Sequence, residues 1–268
     1  MLLDPFFIAL YSLVCLCLGS LISAFLSRWP AMCESEWHKE AHAILGKPYD
    51  PDASLPPSFF TGRSQCPHCH HTLSVIDLIP VVSYLILKGK CRHCQASISP
   101  MYPSLELACL ALSLPLLFSA HSLFELTLLT AIFCSLLLVA VFDARHKWIP
   151  DEINLLLVGC ALLLALQQPI FLTESVLGLI VGYALIAILR SLFMAVRKVE
   201  AIGLGDAKLL AGLGAWLGVY AIAPIALIAS LLGIFYILVS GHNKDHQVAF
   251  GPFLAIAAFI YYWYTFFI

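Results

Sequence analysis

Apolar stretches close to the length of a membrane span dominate this chain, and they leave its backbone few choices. Seven are clear, at 6–27, 103–120, 123–142, 152–168, 172–194, 221–240 and 250–268. A helix needs about 20 mostly apolar residues to cross a bilayer. Hydrocarbon offers no partner for a free N–H or C=O, so such segments must be helical. An eighth stretch, 207–220 (AKLLAGLGAWLGVY), is short and glycine-rich and spans only if it runs straight into a tight turn. With a mean hydropathy of +0.94 and 11% charged residues among 268, the chain falls outside ordinary soluble domains. The expected fold is an all-α polytopic membrane protein of about eight transmembrane helices, carrying one large loop domain.

Charge supplies the orientation. All fourteen basic residues lie within 28–92 or near 145–147, 190–198, 208 and 244, while the connections near His121, Gln167 and Tyr220 carry none. Lys and Arg are retained on the cytoplasmic side near span ends. Eight spans place every charged connection on that face, with both termini outside; seven would strand Lys244 on the other. The first stretch has no basic region before it and is as long as a span, so it is expected to remain as a helix. Residues 1–27 then form a first transmembrane helix, 28–102 a cytoplasmic loop domain, and 103–268 a transmembrane domain. Membrane lipids are the expected surroundings, and no nucleic-acid partner is expected.

The loop 28–102 holds eight of the fifteen prolines and little that can make a large core. Its first part (MCESEWHKEAHAILG) reads as a short helix, and 47–64 as extended loop. The run LSVIDLIPVVSYLILKG, broken by Pro80, is apolar enough to lie at the membrane surface. No internal repeat is evident. Two cysteine pairs, Cys66-Pro-His-Cys69 and Cys91-Arg-His-Cys94, bracket this run. In a reducing compartment disulfides rarely persist, and two such knuckles suit one tetrahedral Zn2+. Four thiolates leave no position for water, so the ion is expected to be structural. His68, His70, His71 and His93 lie close enough in sequence to compete as ligands. The cysteines inside apolar runs, such as Cys15, Cys109, Cys134 and Cys160, read as small buried hydrophobes.

Two carboxylates carry the chemistry. Asp143 ends an apolar run in VFDARHKWIPDEI, and Asp206 begins one in IGLGDAKLLAGLGAWLG. Acids at a membrane boundary are expensive and mark functional sites. Two brought together share a proton and titrate as a pair. One then takes a proton from water while the other donates to a scissile carbonyl, as in aspartic proteases. Gly203 and Gly205 permit close backbone approach beside Asp206. A helix cap is the plain alternative for Asp206, and for Asp151 after Pro150. Lys208 is free to pair with Asp206 or to face lipid headgroups.

In order along the chain, GSLISAFLSRWP, CPHC, LIPVVSYLILKGKCRHCQASISPMYPSLEL, FDARHKWIPD and GLGDAKLLAGLGAWLG resemble the type IV prepilin peptidase family. The likeness covers about 19–218. It implies that Asp143 and Asp206 are the catalytic pair, that Gly203 and Gly205 frame the GxGD motif, and that Asp151 is a structural partner. It further implies that the enzyme sits in the bacterial inner membrane. There it removes a basic leader from prepilins or pseudopilins after a glycine, then methylates the new N-terminus with S-adenosylmethionine. Ser23 stands where the family's opening motif usually has Asn. Glu34, Glu36, Glu40 and Asp77 are acidic positions that a cationic cofactor or leader could meet. Two rival classes are a proton-coupled transporter, which needs acids near the midplane, and a zinc-dependent assembly scaffold, in which the acids are only caps.

Overall fold

A computed structural model describes residues 3–48, 62–167, 169–198, 203–240 and 248–267, and the regular elements among them are helices, with no strand. Each apolar stretch becomes helix. Five helical segments are long and apolar enough to cross a membrane: Pro5–Ile44, Met101–Ser119, Leu123–His146, Phe171–Arg197 and Val219–Ser240. Shorter apolar helices occupy Asp151–Ala165, Leu204–Leu217 and Gly251–Phe267. The chain divides into two compact units, 1–115 and 116–268.

In the first unit, α1 (Pro5–Ile44) starts at a capping Asp4, whose carboxylate accepts from the Phe6 N–H, with Pro5 at the first helical position. It does not stop where the charged loop begins. Pro30 lies inside the helix, and the segment read as a separate short helix is its continuation. Residues 31–44 include three Ala and three Glu with Met32 and Lys39, strong helix formers that resume the helix past one missing donor. After two turns of helix, at Ile76–Leu78 and α2 (Val82–Ile86), the chain enters α3 (Met101–Ser113). α1 and α3 run antiparallel and touch at Gly19, where a β-carbon would sit 2.5 Å from Glu106 Cα. Farther along, the Tyr11 hydroxyl donates to the Ser113 carbonyl at 3.1 Å. Ser23 is buried and donates to the Gly19 carbonyl within α1 at 3.0 Å.

The run between the cysteine pairs keeps an apolar, exposed row: Val75, Ile76, Val82, Leu85 and Ile86. Val81 takes φ +60, a strained value for a β-branched residue. The Glu106 carboxylate, accepting from its N–H at 2.7 Å, holds it there.

The second unit contains α4 (Leu116–Ser119), α5 (Leu123–His146), α6 (Asp151–Ala165), α7 (Pro169–Arg197), α8 (Leu204–Leu217), α9 (Ile222–Ser240) and α10 (Gly251–Phe267). Its centre is α8, buried from Leu209 to Trp216. Glycine explains how so short a helix sits so deep. A β-carbon on Gly178 of α7 would lie 2.1 Å from the Gly214 carbonyl oxygen, and one on Gly214 would lie 2.3 Å from that of Gly178. The backbones of α7 and α8 are therefore in direct contact, the small-residue packing typical of membrane helices. On its other side Gly212 receives Leu157 of α6. At its end, Gly218 takes φ +83 and turns the chain into α9.

Candidate active site and metal centre

Asp143 occupies the last turn of α5 and is 5% exposed. The helix ends on Lys147 in the left-handed conformation, its N–H bonded to the Asp143 carbonyl at 2.8 Å. Phe142 packs edge-on against Trp148, and Ile149 folds back against Gly205, where a β-carbon would sit 3.3 Å from its side chain. This turn brings the end of α5 to the beginning of α8. Asp206 lies there in the first turn, close enough for the Asp143 charge to act on it, and its carboxylate meets the Gly203 backbone. Gly203 is the N-cap. Asp206 therefore sits three positions inside, one turn deeper than the cap reading places it.

A residue that the sequence did not single out completes the pair. The Gly251 N–H, at the start of α10, donates to Asp143 Oδ2 at 2.9 Å, in a buried contact across 108 residues. A β-carbon on Gly251 would lie 2.8 Å from that oxygen. Each carboxylate thus stands at a helix N-terminus, Asp143 at that of α10 and Asp206 at that of its own α8, where partial positive charge favours an anion. Two acids and two helix ends form a site able to keep one carboxylate ionised beside a protonated one.

The remaining residues of the motif lie nearby with a different role. Lys208 pairs with neither Asp206 nor solvent alone: its Nζ donates to both oxygens of Asp151 at 2.7 Å. Asp151 is the first residue of α6, with Pro150 at the cap and no side-chain cap bond. The pair joins α6 to α8 at the surface, and both partners are well exposed.

In the first unit the four cysteines converge. The sulfurs of Cys66, Cys69, Cys91 and Cys94 all lie within 4.8 Å of one another, with Cys66 and Cys94 3.7 Å apart. A tetrahedral ion with Zn–S of about 2.3 Å needs its sulfurs about 3.8 Å apart, so the cluster fits zinc. No histidine belongs to the set among the described residues; His71 and His93 instead meet each other, their rings 3.6 Å apart and tilted by 38°. Backbone N–H groups of Cys69 and then His68 point at Cys66 and lower its thiol pKa.

The two knuckles are structural repeats. Cys66 N–H bonds to the His71 carbonyl as Cys91 N–H does to that of Ala96, and Leu73 bonds to Ser64 as Ile98 does to Gly89. Each knuckle passes through one left-handed residue, His70 (φ 54) or Gln95 (φ 58), and closes with one β-bridge, Gln65 with Thr72 or Lys90 with Ser97.

Comparison with known proteins gives concordant matches. The family model described as Bacterial Peptidase A24 N-terminal domain matches residues 13–120, and that of the Type IV leader peptidase family matches 128–238. A prepilin leader peptidase/N-methyltransferase of Aeromonas hydrophila is 36% identical over 262 residues, covering 95% of this chain and 89% of the relative. One of the same description from Dichelobacter nodosus is 35% identical over 266 residues, covering 98% and 92%. Another, from Pseudomonas putida, is 34% identical over 267 residues, covering 95% and 90%. No solved structure matches.

Proposed function

The chain belongs to the type IV leader peptidase family, and on that premise we propose that Asp143 and Asp206 are the catalytic pair of its peptidase. It is a membrane enzyme that cleaves prepilins and methylates the product. One carboxylate takes a proton from water as the oxygen attacks the scissile carbonyl. The other, protonated, donates to the carbonyl oxygen, and the proton later passes to the leaving amine. The observation that carries this reading is the convergence of two acids, far apart in sequence, at two helix N-termini in a glycine-tight bundle.

Gly203 and Gly205 keep the approach to Asp206 open. Asp151 and Lys208 act as a brace between α6 and α8, which supports a positioning role for both. The basic connections favour eight spans, with the loop 28–102 and the acid pair on the cytoplasmic side of the bacterial inner membrane. A prepilin or pseudopilin keeps its basic leader on that side and inserts its apolar helix, so the bond after the leader's glycine lies at the depth of the dyad. In the loop, Cys66, Cys69, Cys91 and Cys94 hold a structural Zn2+, which supplies folding free energy where apolar core is scarce. The loop, with the helices flanking it, serves the methylation step, for which S-adenosylmethionine is the donor.

The test is cleavage of a model prepilin in membranes carrying wild-type, Asp143→Asn, Asp206→Asn or Asp151→Asn chains at matched expression. Loss of cleavage in the first two alone supports the dyad and a bracing Asp151. Normal cleavage in all three removes the assignment.

A further inference from the structure

A cavity of about 450 Å³ opens in the first unit between α1, α3 and the knuckles. That is the size of a small-molecule site. Its lining includes the charged residues Arg28, Asp77, Arg92 and Glu106 and the aromatic rings of Tyr84, Tyr102 and His68. Asp77 and Arg92 neutralise each other, with Arg92 Nη2 2.8 Å from Asp77 Oδ1. The other two charges are left over.

Glu106 is 6% exposed on α3, and its bonding partners are the Val81 N–H and the Ser20 hydroxyl. Arg28 donates to the Gly62 carbonyl at 2.8 Å and to the Ser64 hydroxyl at 3.3 Å. Among the described residues neither has a counter-ion. A buried carboxylate without a cation is costly, and the cavity it lines is also lined by the Arg28 guanidinium. The ligand that satisfies both carries a cation and a carboxylate on one body, with a flat group for the tyrosines.

We propose that this cavity is the methyl-donor pocket, with Glu106 meeting the sulfonium of S-adenosylmethionine, Arg28 its carboxylate, and Tyr84 and Tyr102 flanking its nucleoside. The assignment rests on the methyltransferase reading above. In the transfer, the lone pair of the neutral terminal amine forms the N–C bond as the C–S bond breaks. The bonding pair stays on sulfur, and the methylated nitrogen releases its proton to water. Sulfur thereby loses its charge. Glu106 attracts the sulfonium donor and has no such hold on the thioether product, S-adenosylhomocysteine, so the same residue that loads the donor helps to discharge the product. The floor of the cavity, at Ser20 and Glu106, lies on apolar helices and its roof on the knuckles.

Isothermal titration of the full-length, zinc-loaded enzyme in nanodiscs, with S-adenosylmethionine and with S-adenosylhomocysteine, tests this. Glu106→Gln is expected to weaken the sulfonium ligand by about tenfold or more, the range of a lost charge-assisted bond, and to leave the thioether affinity unchanged. Arg28→Gln is expected to weaken both ligands alike, because both carry the carboxylate. One zinc per chain reports that the knuckles remain folded in each variant. Unchanged sulfonium binding in Glu106→Gln, or equal loss of both ligands with zinc retained, overturns the pocket assignment while the methyltransferase reading stands. A wild-type chain that neither binds the donor nor methylates a cleaved pilin overturns that reading itself.

Discussion

The two units of this protein solve one problem, holding reactive groups in register, by opposite means. Residues 116–268 bring two carboxylates together by backbone contact: glycine lies against glycine between α7 and α8, and the α10 N-terminus meets Asp143. Residues 1–115 have little apolar interior outside α1 and α3, and their knuckles converge on four cysteine sulfurs that could hold one metal ion. Packing fixes geometry against steric resistance, whereas ligation fixes it by one removable centre. The first unit should therefore fail all at once and by chemistry, the second in increments and by volume.

Removing zinc is the most severe challenge to that contrast. Structural zinc in finger peptides is worth about 10–16 kcal/mol, so a strong chelator is expected to melt 64–98 while α5 to α10 hold. Hydrogen exchange reads this directly, and equal deprotection of both units breaks the comparison. Next comes the dyad. Asp143→Asn or Asp206→Asn should lower prepilin cleavage by about 10²- to 10⁴-fold, the usual contribution of a general acid or base, with zinc content unchanged. A drop smaller than tenfold in purified enzyme contradicts the assignment. Gly178→Leu, which forces side-chain atoms against the Gly214 backbone, should cost about 3 kcal/mol or more, toward or beyond the upper end for overpacked cores. Thermal unfolding measures it, and an unshifted midpoint disproves the close contact.

Smaller effects separate the units at their surfaces. The Ser74 hydroxyl, then Arg92, holds the Asp77 carboxyl below its ordinary range. Its folded value is thus lower than the unfolded value of about 3.9. The stability it adds is present above that pH and is lost as the pH falls through the folded value. Asp77→Asn should then lower stability at neutrality, converge on wild type once the pH falls below the folded value, and so flatten the acid limb of the unfolding curve. Identical acid limbs refute the point. Smallest is Lys208→Met, which removes an exposed ion pair worth about 0.2–1 kcal/mol; a loss several times larger makes the brace a core element.

Much of this was legible in the residues, for physical reasons that differ from place to place. Asp143 and Asp206 stand out because charge within apolar runs is rare, and the paired cysteines because thiols at that spacing have one economical use. The helices follow from hydropathy. Gly251 could not be seen, since its contribution is a backbone N–H that every residue except proline possesses. Nor could the partner of Lys208, because Asp206 lies beside it in sequence whereas Asp151, which it actually meets, is 57 residues away. The end of the apolar run at residue 27 was no helix boundary, since α1 continues through Pro30 to Ile44. The knuckle repeat is carried by hydrogen bonds and left-handed turns, while its side chains share little beyond Cys-x-His-Cys. Glu106 gave a signal of the same kind as the dyad, an acid in an apolar helix, and was passed over beside the more numerous acids of the loop.

The glycine seam between α7 and α8 also bears on the history this gene can have. Any base substitution that changes a glycine codon into another amino-acid codon installs a residue with a β-carbon. At Gly178 and Gly214 the space for that atom is already filled by a carbonyl on the facing helix. No single mutational step leads away from either position without moving the helix that carries Asp206, so the seam can drift only if both helices shift together.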